Sequence, residues 1–157
     1  MILVADASFA TKVLLEEEGT DIALSWWNEE SAIWCAPSIV EVEVEAVLAV
    51  RQRRDPKVFG RHRHKLASTT WANMLDGFVL HTIDREVAHL ASRLIRDHGP
   101  LRGADACYLA VAAQLLEEGP GTEVVLGSFD QQQRRAASAA GIPLTALSPP
   151  RSTEGPS

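Results

Sequence analysis

The sequence predicts an α/β fold, with a mainly parallel central sheet flanked by helices on both faces. Three observations carry that prediction. Short, unbroken apolar runs such as Ile2-Leu3-Val4-Ala5 and Val124-Val125-Leu126 suit strands buried on both faces. Helix-forming stretches separate the strand candidates along most of the chain. Acids, glycines and prolines stand at the joints, where helices begin and end.

In order, residues 2–5 form the first strand, and Ser8 follows where a helix N-cap would sit, ahead of a helix over 9–17. A second helix covers 21–27, a strand covers 33–36, and a long helix runs over 38–54 until Asp55-Pro56 stops it. A basic helical stretch then reaches about Leu75, followed by a strand over 78–82. Asp84 caps a helix that ends at Gly99-Pro100, and residues 104–118 are strongly helical. After Gly119-Pro120-Gly121 come the strand over 124–126 and a helix opened by Asp130 and closed by Gly141.

The 157 residues are 46% hydrophobic, enough for one core, and carry a net charge of −6. The expectation is a single domain over 1–147 with a disordered tail over 148–157, where Pro149, Pro150, Gly155 and Pro156 crowd. No stretch approaches the ~20 apolar residues of a membrane span, and no basic leader precedes Asp6, so neither anchor nor signal is expected. Cys35 and Cys107 are too few for a disulfide framework and suit a reducing cytoplasm.

Charge is unevenly spread. Residues 51–65 hold Arg51, Arg53, Arg54, Lys57, Arg61, Arg63 and Lys65 against Asp55 alone. Such a segment can neutralise phosphates without reading bases; a solvated surface or a contact for an acidic protein would look the same.

Four acids stand out. Glu43 lies three or four residues from Ile39, Val40 and Val47, which puts it on the apolar face of its helix, whereas Glu41 and Glu45 share the other face. Asp105 shares a stripe with Tyr108, Leu109, Ala112 and Leu116. Asp6 and Asp130 follow the first and last strands, and in a parallel sheet such positions can converge. Clustered carboxylates repel, by about 4 kcal/mol for a pair ~4 Å apart at an effective dielectric of 20, so four together call for a cation. Oxygen-only ligands suit Mg²⁺ or Mn²⁺. Taken singly, each acid has a plainer explanation: Asp6 and Asp130 as caps, Glu43 paired with Arg54, Asp105 paired with Arg102.

These residues resemble the motifs of the PIN-domain ribonucleases, and most closely the VapC toxins of toxin-antitoxin pairs. Val4-Ala5-Asp6-Ala7-Ser8 is similar to the first acidic motif, and Ala36-Pro37-Ser38-Ile39-Val40-Glu41-Val42-Glu43 to the second, with Glu43 in register. Leu101-Arg102-Gly103-Ala104-Asp105-Ala106 resembles the third, and Gly127-Ser128-Phe129-Asp130 the fourth. Ser128 stands where threonine is common, and Cys107-Tyr108 where a histidine is often found.

The resemblance implies a Mg²⁺- or Mn²⁺-dependent endoribonuclease in which Asp6, Glu43, Asp105 and Asp130 are the catalytic and metal-binding residues. It implies that Ser8 and Ser128 position them by hydrogen bonds. It also implies an RNA substrate, a VapB-like antitoxin, a homodimer and a cytoplasmic location. An antitoxin arginine would enter the metal-free site, and apolar grooves beside the early helices, with Trp26 or Trp27, would hold its helix. The rival readings are a housekeeping RNA-processing nuclease and a non-catalytic RNA- or protein-binding module on the same scaffold. Receiver domains fit poorly, because Asp6 has no adjacent acid and no lysine follows Lys65. The histidines show no ligand spacing, and of Trp26, Trp27, Trp34 and Trp71 most are expected in the core.

Overall fold

Leu3, Val4 and Ala5 are fully buried in β1 (Ile2–Ala5), the central strand on which the fold is assembled. The computed structural model describes residues 1–147; the tail expected over 148–157 lies outside them. β1 is flanked on one side by β2 (Ile33–Pro37) and beyond it β3 (Val79–His81), and on the other side by β4 (Val124–Gly127). All pairings are parallel, with the order β3-β2-β1-β4.

Seven helices connect the strands among the described residues: α1 (Ala7–Leu14), α2 (Thr20–Trp27), α3 (Val40–Arg54), α4 (Arg61–Leu75), α5 (Arg85–His98), α6 (Gly103–Glu118) and α7 (Gln131–Ala139). From β1 the chain moves outward through β2 to β3, then returns past β1 to β4. With right-handed crossovers that reversal places the returning helices on the opposite face of the sheet and opens a crevice at the carboxyl ends of β1 and β4. The register sets Ala5 opposite Gly127, so Asp6 and Ser128 leave the sheet side by side.

Helix α6 is buried on every side from Asp105 to Ala112, which explains its nearly continuous apolar sequence. Phe9, Trp34, Trp27, Phe78 and Trp71 form a chain of ring contacts at 5.1–5.8 Å between neighbours along Phe9–Trp34, Trp34–Trp27, Trp34–Phe78 and Phe78–Trp71. Trp34 and Trp71 are therefore core residues and are closed to base stacking. Cys35 and Cys107 are free and buried, and burial pushes the Cys35 thiol up to about 12.

Several boundaries move for identifiable reasons. The first helix begins at Ala7 and is capped by Asp6, whose carboxylate accepts from the Phe9 N–H at 2.7 Å; Ser8 is inside the helix. It ends at Leu14, and Gly19, with φ +89°, starts α2 against the Phe129 ring, where a Cβ would come within 2.6 Å. Helix α3 begins at Val40, since Ser38 is still held by β3 through its N–H to the His81 carbonyl at 2.8 Å. Asp84 caps α5 through the N–H groups of Glu86 and Val87, both at 2.9 Å, as its position predicts. No helix among the described residues is long and apolar enough to cross a membrane.

Gly127 marks a close approach. A Cβ there would lie 3.0 Å from the Phe9 ring and 3.1 Å from Leu3, both fully buried. Gly127→Ala should therefore destabilise the protein by about 1–3 kcal/mol through overpacking, read as a lower urea midpoint; an unchanged midpoint would show that the Phe9 packing is loose.

Candidate metal centre

Asp6 is 4% exposed at the carboxyl end of β1. Its Oδ1 accepts from the Ser8 hydroxyl and the Phe9 N–H, each at 2.7 Å, and its Oδ2 lies 2.6 Å from the Ser128 hydroxyl. Burial pushes its carboxyl up to about 6, the bonds from Ser128, Ser8 and Phe9 oppose that shift, and the charge of Asp105 adds to it. Ser8 also accepts from the Phe129 N–H at 2.9 Å, tying the β1 and β4 loops together.

Gln133, fully buried in the first turn of α7, was not singled out in the sequence. Its Nε2 donates to the Asp105 carbonyl at 3.2 Å, which turns its Oε1 towards the Ser128 hydroxyl at 2.7 Å. Ser128 has one hydroxyl hydrogen for two oxygens, Asp6 Oδ2 and Gln133 Oε1. A proton on Asp6 would complete that chain, in agreement with its upward shift.

Glu43 is half-buried, and its Oε2 accepts from the Tyr108 hydroxyl at 2.7 Å. Burial, the bond to Glu43 and the Glu43 charge push the Tyr108 hydroxyl far up, so it remains a donor. The face on which Glu43 was expected differs from the one observed. The buried stripe of α3 is Val40, Val44 and Leu48, whereas Val47 and Val50 are exposed. Glu43 thus faces a cavity and is not in the core. Tyr108 carries a sequence signal, three residues after Asp105 on the same stripe, but its partner across the fold could not be read from spacing.

Asp105 is buried in the first turn of α6, and Arg102 holds both its oxygens, Nε to Oδ2 at 2.7 Å and Nη2 to Oδ1 at 3.1 Å. The plain pairing of Asp105 with Arg102 is thus realised; no ion pair joins Glu43 to Arg54 among the described residues. Asp130 caps α7, with Oδ1 accepting from the Gln132 and Gln133 N–H groups at 2.8 and 2.9 Å, while its Oδ2 is 3.5 Å from Arg102.

A cavity of about 450 Å³ is lined by Asp6, Glu43, Asp105, Tyr108 and Arg102, with Ala7, Ala46, Val47, Val50 and Arg54 completing its wall. Three of the four expected acids therefore meet at one cavity, and Asp130 is linked to them through Arg102. Among the described residues, no three His, Cys, Asp or Glu side chains already stand close enough to hold a metal ion. The donor set nevertheless suits a hard divalent cation: it is all oxygen, and Asp6 is desolvated without a cation of its own.

The members of the basic segment line different hollows: Arg54 lines the acidic cavity, whereas Arg51, on the same helix, and Arg63, across the turn on α4, line a separate hollow of about 400 Å³. Arg53, Lys57, Arg61 and Lys65 are exposed, and none of the seven forms an ion pair among the described residues.

The sequence matches the family model of the PIN domain over residues 3–139. No curated protein matches the chain. Two solved structures share its fold at 17% identity and a TM-score of 0.63. The crystal structure of FitAcB from Neisseria gonorrhoeae covers 94% of this chain and 98% of its own, and FitAB bound to an IR36 DNA fragment covers 94% and 95%.

The raised carboxyl of Asp6 predicts a pH dependence. Its folded value of about 6 exceeds the ordinary 3.8, so its ionisation destabilises the fold, fully above about pH 6 and progressively less down to about pH 4. Asp6→Asn, which preserves the acceptor to Phe9 and offers Ser128 a donor, should raise metal-free stability at pH 7.5 by up to about 3 kcal/mol. The gain should vanish near pH 4; a pH-independent difference would contradict the burial account.

Proposed function

The chain belongs to the PIN-domain family, and on that premise we propose that it is a divalent-metal-dependent endoribonuclease, the toxin of a toxin-antitoxin pair. The observation that carries this reading is the meeting of Asp6, Glu43 and Asp105 at one cavity beyond the carboxyl end of β1. Those three would hold Mg²⁺ or Mn²⁺, with Asp130 contributing from the start of α7. Bound there, the ion supplies an activated water and positive charge for the scissile phosphate.

The chain's own groups have separate tasks. Ser8 and Ser128 fix the orientation of Asp6, and the Tyr108 hydroxyl fixes Glu43, so these two carboxylates are oriented before substrate arrives. Arg54, at the cavity wall, would meet a phosphate of the RNA. No side chain is needed as a nucleophile. Ser8 and Ser128 are committed to Asp6, and Cys107 is buried with its thiol pushed up by burial and by Glu43.

The toxin assignment draws on the VapC-like motifs and on the fold shared with the FitAB assemblies. A VapB-like antitoxin would lay a helix in the hollow of about 400 Å³ formed by Val13, Leu14, Leu15, Val58, Phe59 and Leu66, where Val58 and Leu66 are exposed. Trp26 and Trp27 are not in that hollow. A homodimer in the cytoplasm completes the proposal.

Purified protein should cleave RNA with Mg²⁺ or Mn²⁺ and stop in EDTA, and folded Asp6→Asn and Asp105→Asn variants should lose at least about 100-fold in rate, the loss of several kcal/mol of transition-state stabilisation. Undiminished cutting by either variant would sink the site assignment. Expressed alone, the wild-type chain should arrest growth of a bacterial host, whereas Asp6→Asn should be harmless and still co-purify with the product of the adjacent reading frame. A benign wild type with no such partner would favour a housekeeping nuclease.

A further inference from the structure

Among the described residues, Arg102 alone forms ion pairs with the acids of the site. Its guanidinium forks onto Asp105 and extends one arm towards Asp130, occupying both Asp105 oxygens. The two partners differ in exposure: the Arg102 side chain is 73% exposed, and that of Asp105 is 10% exposed. Arginine can swing into solvent without disturbing the core; Asp105, in a helix buried on every side, cannot follow it. Arg102 also stands at the N-cap of α6 but makes no side-chain capping bond, so its side chain serves the carboxylates and not the helix end.

We propose that Arg102 is the resident counterion of the metal-free site and competes directly with the divalent cation for Asp105 and Asp130, so that this one side chain sets how tightly the site holds metal. The inference rests on the metal-site reading above. A planar, delocalised guanidinium spans its carboxylates at hydrogen-bonding distance, where a compact ion would draw them closer. That difference accounts for acids that share a cavity without three of them standing at metal-binding distance. It also gives the metal-free chain a partner for a buried carboxylate that would otherwise be strongly destabilising.

The test is a calorimetric Mn²⁺ titration of wild type, Arg102→Ala, Arg102→Lys and Arg54→Ala, with thermal unfolding of each in EDTA. Arg54 lines the same cavity without pairing to an acid, so it controls for loss of charge alone. Arg102→Ala should bind Mn²⁺ about tenfold tighter or more, because a charge-assisted pair no longer competes. Arg102→Lys, which keeps the charge and loses the fork, should fall between, and Arg54→Ala should stay within about twofold of wild type. In EDTA, Arg102→Ala should melt below wild type, and Mn²⁺ should restore it. Wild type that binds Mn²⁺ while both Arg102 variants bind it no more tightly would overturn the competition and leave the metal site standing. If none of the four proteins takes up Mn²⁺, the metal-site reading falls and the proposal falls with it.

Discussion

Burying the Asp6 carboxylate at the end of the central strand is the constraint that organises this molecule. Desolvating a charge without a cation is costly, and the surrounding chain supplies what hydrogen bonding can: the Phe9 N–H in the first turn of α1, the hydroxyl of Ser8 and the hydroxyl of Ser128 from the neighbouring strand end. Meeting that demand requires β4 beside β1 in the observed register, because only then does Ser128 emerge next to Asp6. Gln133 extends the same chain to the Asp105 carbonyl, so β1, β4, α6 and α7 are joined by polar contacts through one buried point. The crevice at the sheet's switch point and the polar chain crossing it are two consequences of one topology.

β1 and β4 are legible because a strand buried on both faces must be an unbroken apolar run, and the caps at Asp84 and Asp130 because a carboxylate ahead of a helix has a local task. The first helix start was misread, since Asp6 and Ser8 are both able to cap and spacing alone does not decide between them. Structure gives the cap to Asp6 and turns Ser8 back onto it. The periodicity that singles out Glu43 assigns Val47 to the apolar face of its helix; in the fold Val47 walls a cavity beside Glu43. Glu43 meets the cavity from a face that is apolar for a different reason.

What the sequence could not show was anything depending on partners across the fold. Tyr108 reaches Glu43 across 65 positions of chain, and Ser128 reaches Asp6 across 122. Gln133 stands in a run of three glutamines that spacing does not tell apart, and it is fully buried because two polar groups of the site need it. Spacing along the basic segment also could not show that Arg51 and Arg54, on one helix, line different hollows, or that Arg63 joins Arg51 across the turn between α3 and α4. Arg102 was weighed only as a plain partner for Asp105; its reach to Asp130 required the return of β4 to the side of β1.

A site built this way is acidic, partly desolvated and, among the described residues, paired with one exposed arginine, which is the state expected of a divalent-cation site before its ion arrives. The most direct measurement is anomalous diffraction from crystals soaked in Mn²⁺. The account predicts one peak per chain in the acidic cavity, at about 2.0–2.3 Å from carboxylate oxygens of Asp6, Glu43 and Asp105, with the Arg102 guanidinium withdrawn from Asp105. A well-diffracting crystal with no peak there, and with Arg102 still forked on Asp105 at saturating Mn²⁺, would contradict it.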